Sequence, residues 1–356
     1  KNNKISSKKC YWDLKKKINT QKKINSLEEA KNFFSLHFDR VSDYYSRSDR
    51  KIGLLYSSGL DSNFILNLLN KKQKNISLLL TFGFEAKNLE DEIAFVKNKV
   101  IENFIHRFKI DEFLYQTKKI QIEQEMPWGG PNVFFQGYLM QKAKDFGHRV
   151  VLSADGADEI FGGYNKYLNL KKIDAEYVNR AIDNSVPYHA DIFKKKFNLN
   201  KKTKFNLPNK NNFDCARYID ITFSKLPRNF RFSDRYSMSK SIELRYPFLD
   251  HELIEASFTL NKKLMINNNE NKIIMRQFFK NNRKKKHINS PQTEWFYDKK
   301  FKKIMSKICD DSPIFEKVLD KKKIKNYYDY FYKKKRNNSF KMWQIYNYDL
   351  WLKTFF

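Results

Sequence analysis

Two stretches gather side chains able to handle a polyanion. The first, Lys51 to Ser62 (KIGLLYSSGLDS), is a short apolar run that breaks into small residues and then into an apolar helical pattern. It reads as a strand, a turn and a helix start. Gly59 lets backbone approach an anion closely, Ser57, Ser58 and Ser62 supply hydroxyls beside the amides of the helix N-terminus, and Asp61 stands where a magnesium ion would meet phosphates. An ordinary strand-to-helix turn with Asp and Ser near the cap explains the same string. The second stretch, Arg149 to Tyr164 (RVVLSADGADEIFGGY), packs Asp155, Asp158 and Glu159 into five positions after another apolar strand. Three carboxylates at a strand end suit a magnesium-nucleotide better than a core.

With both strings in this order, the chain resembles the synthetase domain of the asparagine synthetase family, whose members carry SGGLDS-type and SG(D/E)G(A/S)DE-(L/I)FGGY-type motifs. The likeness continues through Asp234 to Asp250 (DRYSMSKSIELRYPFLD), Lys272 to Arg276 (KIIMR) and Arg283 to Pro291 (RKKKHINSP), and covers nearly the whole chain. It implies a PP-loop ATP-pyrophosphatase fold of the HUP-like kind. The implied chemistry uses ATP and Mg2+ to adenylate a carboxylate, usually the β-carboxyl of aspartate, after which ammonia displaces AMP.

By motif matching, Asp61 and Asp158 look like the carboxylates that hold magnesium pyrophosphate, and Ser57, Ser58, Gly59, Leu60, Asp61 and Ser62 would wrap the phosphates. Leu55, Phe82, Ser153 and Ala154 would contact the adenosine. Asp155 occupies a position where many relatives have Glu and would steer the substrate and the ammonia nitrogen, while Lys285 matches the lysine that stabilises pentavalent phosphorus. Lys285 lies in a basic run where register is easily misread. Glu159 and Arg245 form a second tier, Arg245 being either a phosphate or substrate ligand or a structural partner of Glu243 or Asp250. Ser58 and Ala154 each replace a glycine of the family pattern. The segment Glu123 to Tyr138 (EQEMPWGGPNVFFQGY) looks more like that of paralogues in surface-polysaccharide or secondary-metabolite pathways, so the carboxylate acceptor stays open.

The elements needed to position these loops follow from periodicity. A capping pattern at Ser26 opens a helix, and after the first loop come a helix over 62–70, a strand over 76–82, a helix over 90–102, a strand over 104–110, helices over 111–124 and 133–146, and a strand over 150–153. This alternation implies an α/β fold, a parallel sheet with helices on both faces, whose ligands bind at the C-terminal strand ends. Residues 26–164 would form this nucleotide-binding core and 165–356 a mostly helical substrate-side part. The aromatic stripe Trp343, Tyr346, Leu350 and Trp351 reads as core, and its likeness to the family's closing helix implies an intact C-terminus. Residues 1–25 read as a linker, pinned by Tyr11-Trp12-Asp13-Leu14, from an upstream region; in the family a glutaminase domain precedes such a linker or acts as a separate subunit.

At 356 residues with 41% hydrophobic content the chain can bury a sizeable core. Its 70 basic against 40 acidic residues give a net charge of +30. The lysines come in scattered runs, which reads as a solvated basic surface rather than a nucleic-acid groove. Cys10, Cys215 and Cys309 lack metal-site spacing, and the six histidines do not cluster, so no zinc or iron site is expected. A reducing, cytoplasmic setting fits, with no membrane span, a small carboxylate and ammonia as substrates, and homodimerisation as an open expectation. A tRNA-modifying enzyme of the same nucleotide fold and a non-catalytic relative are the alternatives.

Overall fold

Alternation of apolar side chains decides how the central strands are used. The computed structural model describes residues 7–57, 59–71, 76–84, 101–168, 170, 173, 206–278, 292–314, 319–334 and 339–356. The chain runs through α1 (Leu14–Thr20), α2 (Leu27–Tyr45), β1 (Ile52–Leu55), α3 (Leu60–Lys71), β2 (Ile76–Phe84), β3 (Glu102–Phe108), α4 (Ile110–Gln124), α5 (Asn132–Asp145), β4 (Val150–Leu152) and the short α6 (Ala157–Phe161). Beyond these come α7 (Asn212–Thr222), α8 (Lys225–Met238), β5 (Glu243–Arg245), α9 (His251–Ser257), α10 (Ile273–Arg276), α11 (Gln292–Tyr297), α12 (Lys299–Asp310), α13 (Lys321–Lys334) and α14 (Ser339–Phe355).

The five strands form one parallel sheet in the order β3-β2-β1-β4-β5. Successive residues of a strand point to opposite faces. Leu79, Leu54, Val150 and Leu152 accordingly enter one core with α2, α3 and α9, whereas Leu78, Leu80 and Val151 enter a second core with α4, α5 and the C-terminal helices. Trp343 and Tyr346 are buried in that second core, with Leu350 and Trp351 packed at its edge. The chain steps outward from β1 to β2 and β3, then returns to lay β4 on the other side of β1. The strand order therefore reverses between β1 and β4, and the loops leaving their C-terminal ends diverge to open a crevice.

Several boundaries differ from the sequence reading. Helix α3 begins at Leu60, two residues early, because the small-residue turn is shorter than its composition indicates. The helix expected over 90–102 falls largely outside the described residues, and its last residue, Glu102, opens β3 instead. Ile110, expected to end a strand, opens α4. Strand β5 comes from the stretch expected to be mostly helical, so the sheet draws on residues beyond 165; at three residues it is too short to show a period. In the expected linker, Asp13 caps the short helix α1, whose Leu14 and Ile18 are buried. Trp12 donates to Glu255 Oε1 at 2.7 Å, while Tyr11 is exposed and pins nothing.

Candidate active site

The crevice between the β1 and β4 loops is a cleft of about 290 Å³. Of the expected site residues, Leu55, Ser57, Gly59, Asp61, Ser62, Phe82, Ser153, Ala154, Asp155, Asp158 and Glu159 line it. Leu60 packs against the first core and Arg245 lies elsewhere; Ser58 and Lys285 are outside the described residues. Arg245 donates to the carbonyls of Tyr45 and Arg47 at 3.1 and 2.6 Å and to Glu243 Oε1 at 2.7 Å. This is the structural alternative, with Glu243 as its partner; Asp250 instead pairs with Arg40.

The β1 loop is folded on itself. Ser57 N–H donates to Ser62 Oγ at 3.0 Å, the two hydroxyls lie 3.1 Å apart, and Ser62 Oγ donates to Ser57 O at 2.7 Å. Gly59 N–H donates to Ser57 Oγ at 3.2 Å. These bonds hold the turn open at the start of α3, where the first helical amides have no intrahelical acceptor and favour an anion.

The β4 loop is shaped by its glycines. Gly156 has φ +96°, and a Cβ there would lie 2.3 Å from Leu249 Cδ2. At Gly163 a Cβ would lie 1.8 Å from Asp158 Oδ1 and 2.3 Å from Lys272 Cε, so only glycine leaves room for the contact between those two side chains. Between them, α6 carries Asp158 and Glu159.

Lys272 is a residue of this arrangement that motif reading left without a role. It caps α10 with φ +53°, and its side chain is 5% exposed. Its Nζ stands 2.6 Å from both oxygens of Asp61 and 2.6 Å from Asp158 Oδ1, joining residues far apart in sequence. Burial alone would lower its pKa, but the two carboxylates outweigh that and raise it. The string KIIMR was the available signal, a lone lysine before an apolar run.

Two carboxyls deeper in the cleft are held towards their neutral forms. Burial raises Asp155, with the charges of Asp158 and Asp61 adding to the effect and a hydrogen bond from Ser153 Oγ at 2.8 Å opposing it. Burial likewise raises Glu159 to about 7, although Tyr164 OH donates to it at 2.7 Å. Lys225 Nζ lies 3.2 Å from the centroid of the Tyr164 ring, and Gln136, Leu139, Leu226 and Asn229 complete the cleft wall, none of them singled out by motif.

The donor set fits a magnesium ion supported by phosphates. Asp61 and Asp158 offer hard carboxylate oxygens already gathered about one cationic centre, and a site of one or two carboxylates completed by phosphate and water is the usual magnesium arrangement. Among the described residues no group of three or more His, Cys, Asp or Glu is gathered that would hold a metal by itself.

A parallel α/β sheet whose switch-point crevice brings a small-residue helix start opposite a carboxylate loop defines a nucleotide-binding class of protein. Comparison with known proteins narrows the class: the asparagine synthase family model matches residues 39–353, and the chain belongs to the asparagine synthetase family, with its PP-loop, HUP-like fold. The chain is similar to the protein named "Putative asparagine synthetase (glutamine-hydrolyzing) 2" of Methanocaldococcus jannaschii, 34% identical over 172 residues that cover 46% of this chain and 32% of that protein. It is also similar to asparagine synthetase (glutamine-hydrolyzing) 1 of Bacillus subtilis, 24% identical over 288 residues covering 67% of this chain and 45% of the relative. The matches thus span less than half the length of these relatives. Among the described residues no helix is long and apolar enough to cross a membrane.

Proposed function

We propose that this chain adenylates a carboxylate with magnesium-ATP and passes the activated carbonyl to ammonia, giving an amide, AMP and pyrophosphate. The observation that carries the reading is the convergence of Asp61 and Asp158, from two different strand ends, on one cationic centre at the mouth of a switch-point cleft. Leu55, Phe82, Ser153 and Ala154 would receive the adenosine, with Ser57, Ser58, Gly59, Leu60 and Ser62 around the phosphates. Asp61 and Asp158 would hold Mg2+, which supplies charge neutralisation for the leaving pyrophosphate.

In the first step a carboxylate oxygen attacks the α-phosphorus and the bond to the β-phosphate oxygen breaks. Lys272, already beside both carboxylates, holds them in register, and Lys285 would meet the charge on phosphorus. In the second step ammonia attacks the acyl carbon, AMP leaves with the bonding electrons, and the nitrogen loses a proton. Asp155 lies at the cleft wall where it would orient that nitrogen. The acceptor is aspartate or a related acid, and the ammonia would come from a glutaminase domain or subunit, or from free ammonia.

Titration calorimetry of the protein with ATP in magnesium buffer tests the reading. Saturable binding that weakens on chelation of magnesium is expected; no heat of binding would overturn it.

A further inference from the structure

Three charged groups that the proposed chemistry leaves unused line up behind the carboxylate loop. Helix α6 has five residues, too few to sustain itself, and its last carbonyls have no intrahelical donors. Arg217, fully buried on α7, supplies them. Its Nε donates to Glu159 O at 3.0 Å and its Nη2 to Ile160 O at 2.5 Å and Ser257 Oγ at 2.7 Å. The guanidinium lies over the ring of Phe258, 4.2 Å from its centroid.

Arg217 Nη1 in turn donates to Asp214 Oδ1 at 3.2 Å, and Asp214 is itself fully buried. The other oxygen of Asp214 lies 2.6 Å from Lys23 Nζ, in the segment between α1 and α2. Lys23 Nζ also donates to Phe258 O and Leu260 O at 2.9 and 3.0 Å, and the neighbouring Ile24 forms a parallel bridge with Leu260. Buried ion pairs seldom stabilise a fold more than well-packed apolar residues would, so three such groups in a row call for a role beyond stability.

We propose that Lys23, Asp214 and Arg217 form a positioning relay through which the segment before α2 fixes α6, and with it the carboxylate of Asp158. The relay rests on the reading that Asp158 serves magnesium-ATP. Loss of the Lys23 ammonium leaves Asp214 Oδ2, among the described residues, with only the weaker Asn211 amide at 3.2 Å, so Asp214 turns and Arg217 follows it away from the two carbonyls. Helix α6 then opens more often while the sheet stays closed.

The test is amide hydrogen exchange, followed by mass spectrometry, on the apo protein and the variants Lys23→Met, Lys23→Arg and Arg217→Lys, together with magnesium-ATP titration of each. Exchange over residues 156–163 should rise about tenfold in Lys23→Met and Arg217→Lys, with α5 unchanged, because the opening is local. Lys23→Arg should restore the slow exchange, and magnesium-ATP affinity should fall in step with the exchange rate. Wild-type exchange over 156–163 in folded Lys23→Met would overturn the relay, as would an acceleration spread evenly over the chain. If Arg217→Lys does not fold, Lys23→Met decides alone. A wild-type protein that fails to bind magnesium-ATP would sink the functional reading and leave the exchange result standing.

Discussion

Replacing Lys272 with Met removes one ammonium and keeps the stem. The change leaves Asp61 and Asp158, with side chains 19% and 35% exposed, facing each other across the space the ammonium held. Breaking a fully buried ion pair from one side costs about 3–5 kcal/mol. Solvent reaches both carboxylates here and screens them, so about 2 kcal/mol is the appropriate scale. For a chain of 356 residues that corresponds to a drop in Tm of about 3 °C in magnesium-free buffer. Magnesium should reverse the loss: a cation that binds only the folded state adds about 2.7 kcal/mol at a hundredfold excess over its Kd. Thermal unfolding of Lys272→Met across a magnesium series should therefore show a steeper rise in Tm than the wild type. A variant as stable as the wild type without magnesium, or one whose Tm ignores magnesium, would refute the shared-cation reasoning.

Asp61→Asn and Asp158→Asn should each fold and each lower adenylation by roughly 10²-fold, and the double variant should be little worse than the poorer single, as read by pyrophosphate release. Losses that multiply would place the two carboxylates at separate sites. Gly163→Ala drives a methyl into Asp158 Oδ1 and Lys272 Cε, so calorimetry should show magnesium-ATP binding lost while circular dichroism shows the fold retained. Glu159 is raised from its ordinary 4.5 to about 7, so the folded state holds its proton more tightly than the unfolded state does. Its contribution, on the order of 3 kcal/mol, is complete below pH 4.5 and is lost as pH rises through 7. Denaturant unfolding of Glu159→Gln should show a flatter stability profile across that window than the wild type.

The two motif loops were legible because each joins an apolar strand to a helix through residues with few other uses, and the alternation between them required a parallel sheet. The division of the buried Leu78, Leu79 and Leu80 between two cores, one on each face of the sheet, follows directly from that assignment. Lys272 was not legible as a partner of Asp61, since the two are 211 residues apart and one lysine among many carries no signal of burial. Strand β5 escaped because three residues have no period, and its Arg245 left two roles open that only the carbonyls of Tyr45 and Arg47 resolve. Lys23 sits in a polar stretch that looks solvated, and Asp214 and Arg217 are charges set among the apolar residues of α7, where nothing in the sequence pairs them with a lysine 191 residues away. The cleft wall of Gln136, Leu226 and Asn229 is assembled from α5 and α8, whose helical period identifies a buried face but not which part of it meets a ligand.

The central claim is carboxylate activation at the α-phosphate, and isotope transfer tests it most directly. The protein is incubated with ATP, magnesium, ammonium and an acceptor acid labelled with heavy oxygen in its carboxylate, starting with aspartate and then uronic acids. The account predicts AMP carrying one labelled oxygen, formed together with unlabelled pyrophosphate and an amide. Labelled inorganic phosphate formed with ADP would mean activation at the γ-phosphate and would contradict it.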